Sequence, residues 1–254
     1  MPFKGRQAGL SPGSVEQVSH RFTYSFINPF GLGVIKVTEK QQTIIDLLYG
    51  EKTDPAPEIK PEAASKAALD PLRELGQLKE EALACRRCQL REGCSQVVFG
   101  DGKPDAGLMM VGEGPGADED RIGVPFVGRA GQLLDRILEA AKIDRRTIFI
   151  TNVVKCRPPG NRLPLQPEVD ACLPYLHRQI ELINPDIIVC LGSLATKTLV
   201  NKNAAITRDR GKWHEIEGRK VIATFHPAAL LRDPSRKKDV WEDFKEIMKY
   251  YRQE

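Results

Sequence analysis

The sequence predicts an α/β protein, a three-layer α/β/α sandwich with a central, mainly parallel, four-stranded sheet. Three observations predict it. From about residue 72 onward, four short apolar runs recur, each too brief for a helix and most of them rich in β-branched residues. Amphipathic stretches of helical length separate these runs. Strand and helix alternating in this way form a parallel sheet covered on both faces.

In chain order, a helix is expected near 72–85, then a strand at Leu108–Val111 and a helix near 129–142. A strand at Ile148–Ile150 precedes a helix over 167–183, and a strand at Ile187–Cys190 precedes one near 193–200. The last strand, Val221–Thr224, leads to a closing helix near 238–251. Ligands of such sheets bind beyond the carboxyl ends of the strands. Three of the four strands run into a chemically capable residue there: Glu113, Asn152 and His226.

The 254 residues fit one domain with an appendage, or two small domains. Residues 1–52 carry no motif and are expected to be an N-terminal extension. Residues 53–71 hold four prolines and five alanines among alternating charges, the composition of a disordered linker. The main domain is expected over 72–254. No apolar run approaches the roughly 18 residues of a membrane span, and no signal peptide is evident. A cytoplasmic protein with no membrane partner is therefore expected.

Net charge is only +4, and residues 1–76 balance nine basic side chains with nine acidic ones. The excess thus lies downstream, where residues 201–238 carry ten Lys or Arg against four Asp or Glu. A local basic face suits a polyanion better than the global charge suggests.

Six cysteines are too few for a disulfide scaffold in a chain of this length, and metal binding is the better reading. Cys85 and Cys88, two residues apart, form half of a thiolate site, and Cys156 with Cys172 can complete it. Zinc and iron-sulfur clusters share such ligands, although the wide 156–172 gap mildly favours a cluster. Cys94 is a competing ligand, and Cys190 reads as a small buried hydrophobe. The glycines at 112, 114 and 116 let backbone approach a base or phosphate, but their GxGxG spacing is not the dinucleotide fingerprint GxGxxG.

Residues 77–254 resemble the family 4 uracil-DNA glycosylases, the iron-sulfur branch of the uracil-DNA glycosylase superfamily. The resemblance rests on CRRCQL, VVFGDG, GEGPGADED, PFVGRAGQLLDRIL, ITNVVKCRPPGNR, LGSLA and HPAALLR, in order and without large gaps. It implies one structural four-iron four-sulfur cluster on Cys85, Cys88, Cys156 and Cys172, with no catalytic metal. It implies excision of uracil from single- and double-stranded DNA by base flipping, in a monomer that works on the nucleoid. A relative that traps the abasic product has a basic insertion after the asparagine motif and a histidine where Cys156 stands. This chain has neither, so hydrolysis with free product release is expected.

Within that resemblance, Phe126 offers an aromatic face to the flipped base. Asn152 is the base reader: its carboxamide accepts from uracil N3–H and donates to O4, a pattern cytosine reverses. His226 is placed to donate to uracil O2, where negative charge develops. Glu113 positions water or stabilises the cationic sugar. Gly114 stands where the best-known branch has an aspartate, which leaves the general base open, with Asp118 and Glu119 as nearby acids. The resemblance also places Glu119 against the C5 side, excluding thymine. Leu230 and Leu231 are candidate wedges, Arg232 a phosphate ligand, and Lys202, Arg208, Arg210, Lys212, Lys237 and Lys238 candidate backbone contacts. Three other readings remain open: a non-enzymatic four-cysteine DNA-binding module with zinc or an iron-sulfur cluster, a nucleotide-binding enzyme using the glycine loop, and a glycosylase of broader deaminated-base specificity.

Overall fold

A computed structural model describes residues 62–251. The N-terminal extension and the first part of the expected linker lie outside the described residues. Helix α1 spans Glu62–Leu83 and corrects the linker reading for residues 62–71. Leu75, Leu78 and Ala82 dock it into the core, and the alanine-rich stretch upstream, of high helix propensity, prolongs it across Pro71. Composition argued against an isolated ordered segment there; attachment to a docked helix changes that balance.

After α1 come a short α2 (Leu90–Gly93), β1 (Asp101–Gly102) and β2 (Leu108–Gly112), then α3 (Ala117–Ile122) and α4 (Arg129–Ala140). Strand β3 (Phe149–Asn152) precedes the long α5 (Gln166–Ile183), and β4 (Ile187–Leu191) precedes α6 (Ser193–Leu199) and α7 (Ile206–Asp209). The chain finishes with β5 (Trp213–Ile216), β6 (Arg219–Thr224), α8 (Pro227–Arg232) and α9 (Lys237–Tyr250). The sheet order is β1-β3-β2-β4-β6-β5.

The four predicted strands are the parallel core β3-β2-β4-β6, and the four-strand count is corrected to six by two antiparallel edge strands. Neither edge strand carries an apolar run. β1 is Asp-Gly, exposed at both positions, and β5 is the mostly half-buried Trp-His-Glu-Ile. β5 reaches β6 through Glu217-Gly218, both at positive φ (51° and 77°), as a two-residue hairpin turn matched to strand twist requires.

Alternation along each central strand makes the three layers. Met109, Val111, Ile188, Cys190, Val221 and Ala223 face one apolar cluster, with α1 and α5 over them. Leu108, Met110, Ile187, Val189 and Ile222 face the other, under α4 and α9. Cys190 is fully buried within β4, as expected of a small hydrophobe. No helix among the described residues is long and apolar enough to cross a membrane.

Candidate active site

Three strand ends converge beyond the carboxyl edge of the sheet. Gly112 closes β2, Asn152 closes β3, and the two are register partners. His226 follows β6 by two residues as the N-cap of α8. Asn152 is 1% exposed, and its Oδ1 has no hydrogen-bond partner. A buried carbonyl oxygen left unpaired costs about 1–3 kcal/mol, so its retention calls for a donor supplied from outside the protein.

The buried Phe126 ring closes the same space. A Cβ at Gly112 would collide with Asn152 Oδ1 and stand 2.6 Å from Phe126 Cζ, so only glycine lets these two groups meet. The Phe126 and His226 ring centroids are 5.4 Å apart with planes at 32°. Phe126 itself takes φ +54°, a left-handed conformation that costs a bulky residue about 1–3 kcal/mol. At Gly114 a Cβ would stand 2.8 Å from Val154 Cγ2, so the position offers backbone only.

His226 Nδ1 accepts the Ala228 N–H at 3.1 Å, which leaves Nε2 to carry the proton of the neutral ring. Burial first, and the Arg232 charge second, push the imidazole down to about 4. The ring is thus a neutral Nε2–H donor at physiological pH. Because its folded pKa is depressed, its contribution to stability is complete above about 6.5 and is lost as pH falls through about 4, a swing of about 3 kcal/mol. NMR of the ring nitrogens at pH 6 is expected to report the neutral Nε2–H tautomer; an imidazolium at that pH would refute the assignment. Burial also raises the Glu113 carboxyl above its ordinary value, with Arg232 opposing.

Both oxygens of Glu119 are engaged by backbone. Oε2 accepts from Gly116 N–H (3.1 Å), and Oε1 from Val127 N–H (2.9 Å) and Gly128 N–H (2.8 Å). Glu119 thus braces the turn that carries Phe126. Its carboxylate also occupies the amide that a phosphate would need at the start of α3, which argues against the nucleotide-binding reading. Asp118 is exposed and paired with Arg121 at 3.5 Å.

Two DNA-contact expectations need correction. Leu230 is 1% exposed and packs in the core under α8, so it cannot wedge; Leu231, 39% exposed, can. Arg210 forks onto the buried Asp243 carboxylate (2.7 and 3.0 Å), which also accepts from Thr224 Oγ1 at 2.6 Å. That network ties α9 to the end of β6 and commits the half-buried Arg210 to an internal partner. Arg208 is exposed beside Asp209, and Lys202, Lys212, Arg232, Lys237 and Lys238 are exposed as well.

Cys85, Cys88, Cys156 and Cys172 line one hollow, walled by Ala82, Leu90, Val97, Val154 and Tyr175. The loop between α1 and α2 brings the first two, the chain after β3 the third and α5 the fourth. Backbone N–H groups of Arg87 and Lys155 point at the Cys85 and Cys172 sulfurs (3.5 and 3.3 Å). Burial, then the neighbouring thiols, push Cys156 up. Four thiols on one hollow form a donor set that suits an iron-sulfur cluster or a structural zinc. Cys94 exchanges 3.7 Å contacts with Arg91 and lies against Cys156.

Sequence reasoning missed Lys155. It is 2% exposed, and Nζ donates to Thr151 Oγ1 (2.7 Å), Asn152 O (2.7 Å) and Gln179 Oε1 (2.6 Å). Thr151 Oγ1 and Gln179 Nε2 both donate to Phe99 O, which fixes them as acceptors toward the lysine. Burial pushes Lys155 down to about 7, with the Cys172 sulfur opposing, and three acceptors match the three protons of an ammonium. The only hint in the sequence is a lysine set in the otherwise uncharged Val153-Val154-Lys155-Cys156 run.

The fold and this site define a member of the uracil DNA glycosylase superfamily, whose family model matches residues 99–245. Similar proteins include a type-4 uracil-DNA glycosylase of Sulfurisphaera tokodaii, 46% identical over 68% of this chain and 83% of its own length. Those of Archaeoglobus fulgidus (43%, covering 69% and 92%) and Thermotoga maritima (44%, covering 70% and 94%) are similar too. The chain belongs to the type-4 uracil-DNA glycosylases.

Proposed function

We propose that this protein hydrolyses the N-glycosidic bond of uracil in single- and double-stranded DNA, leaving an abasic site for base-excision repair. The observation that carries this reading is the buried, unpartnered Asn152 Oδ1 beside the Phe126 and His226 rings. Uracil N3–H is the donor that oxygen lacks. The nucleotide is extruded at a cost of a few kcal/mol, offset in part by stacking on Phe126 worth about 1–3 kcal/mol. As the bond to C1′ lengthens, negative charge gathers on uracil O2, and His226 Nε2–H donates to it. A neutral donor already in place needs no reorganisation when the charge develops. Glu113 holds the attacking water on the far side of the sugar, and its charge stabilises the cationic ring. Leu231 fills the gap in the stack, while Arg232, Arg208 and the exposed lysines hold phosphates in a salt-sensitive, sequence-blind manner.

Cys85, Cys88, Cys156 and Cys172 would hold one four-iron four-sulfur cluster, whose contribution is to cross-link three chain segments. The hollow they share lies on the face of the sheet covered by α1 and α5. Purified protein with its cluster is expected to release uracil from a uracil-containing oligonucleotide and to leave the thymine- and cytosine-containing counterparts intact. Release of no uracil from any strand context would overturn the reading.

A further inference from the structure

Phe126 holds a conformation that aromatic residues avoid, and what holds it lies outside the pocket. Arg145, in the turn before β3, donates from Nη2 to Pro125 O at 2.7 Å and from Nη1 to Phe126 O at 3.3 Å. Asp135 on α4 accepts from the same Nη1 at 2.7 Å and anchors the guanidinium. On the other side of Phe126, Glu119 Oε1 takes the next two N–H groups. The turn is therefore clamped through its carbonyls by a cation and through its amides by an anion. It also presses on Gly131, where a Cβ would collide with Phe126 O.

We propose that Arg145 is a positioning residue: by fixing the Pro125 and Phe126 carbonyls it presets the aromatic face on which the flipped uracil stacks. This rests on the proposed uracil-excising function. Only a forked, planar donor can bridge two successive carbonyls and a carboxylate at once; the point charge of lysine cannot reproduce that geometry. An unclamped turn is free to relax toward negative φ, which swings the ring away from Asn152 and His226. Breaking the clamp removes hydrogen bonds but also relieves strain, so global stability should change little while base binding weakens.

The test compares wild type with Arg145→Gln, Arg145→Lys and Asp135→Asn, reading inhibition by free uracil, kcat and KM on a uracil oligonucleotide, and the urea midpoint. Arg145→Gln is expected to weaken uracil binding about tenfold, the low end of a lost stacking contact. Arg145→Lys should not restore it, Asp135→Asn should shift it in the same direction by less, and the urea midpoints should stay close to wild type. In a Phe126→Leu background, Arg145→Gln should add little, because the two act through one ring. Unchanged uracil inhibition, a fall in the midpoint that parallels the activity loss, or additivity with Phe126→Leu would each overturn the proposal. If Arg145→Gln does not fold, the exposed Asp135→Asn decides, and wild-type uracil binding in that variant refutes the clamp. Wild-type protein that excises no uracil would instead refute the functional reading beneath it.

Discussion

Asn152→Ala is expected to lower uracil release by about a thousandfold, the scale on which a hydrogen-bonding site discriminates when its polar match is lost. The carboxamide both accepts and donates, so its removal abolishes recognition of N3–H and O4 together. The fold should be untouched, because Asn152 Oδ1 makes no bond inside the protein that the substitution could break. A denaturation midpoint at or above wild type, with activity nearly gone, is the expected pair of results. Most buried polar side chains behave differently: truncation strands a partner and costs stability. A large loss of stability in Asn152→Ala, or activity within tenfold of wild type, would show that the oxygen does not wait for a substrate.

Cys156→Ala should remove the cluster and the fold together. Cys156 is buried, four residues past Asn152, and its neighbour Lys155 bonds the Asn152 carbonyl through Nζ and Cys172 through its N–H. One sulfur thus belongs to a segment that carries the proposed base reader at one end and a proposed cluster ligand at the other. Ligand binding energy of this kind is folding energy, since the unfolded chain has no assembled site. Visible sulfur-to-iron absorption and cooperative unfolding should disappear in the same variant, whereas Cys190→Ala, in the apolar interior of β4, should keep both at a cost of about 1–2 kcal/mol. A soluble, folded, fully active Cys156→Ala protein would show the cysteine set to be dispensable.

The central strands were legible because fully buried parallel strands read as continuous apolar runs, whatever lies next to them. The edge strands were not, because Asp101-Gly102 and Trp213–Ile216 owe their pairing to a neighbour already in place and bury little of their own. Residues 62–71 illustrate the same dependence: their composition suits a solvated linker, and a docked continuation makes them helix.

Within the site, Glu113, Asn152 and His226 could be located in advance, because strand ends in such sheets meet at one edge. Chain order and spacing also singled out the four cysteines that share a hollow. Leu230 and Leu231 could not be told apart, since one step along a helix turns a side chain by about a quarter-turn, from solvent into core. Arg210 reads as a free cation until Asp243, thirty-three residues on, arrives beside it. Lys155 and Arg145 were invisible for that reason as well: their partners, Gln179 and Pro125, are distant in the chain and brought close only by packing. The sequence by itself determined the four central strands, the layer order and which side chains stand at the carboxyl edge of the sheet, all of which follow from local apolar pattern and the topology it implies. Only the tertiary structure decided which charges are paired, which leucine is free and what holds Phe126 in place, because those depend on long-range partners that no local pattern encodes.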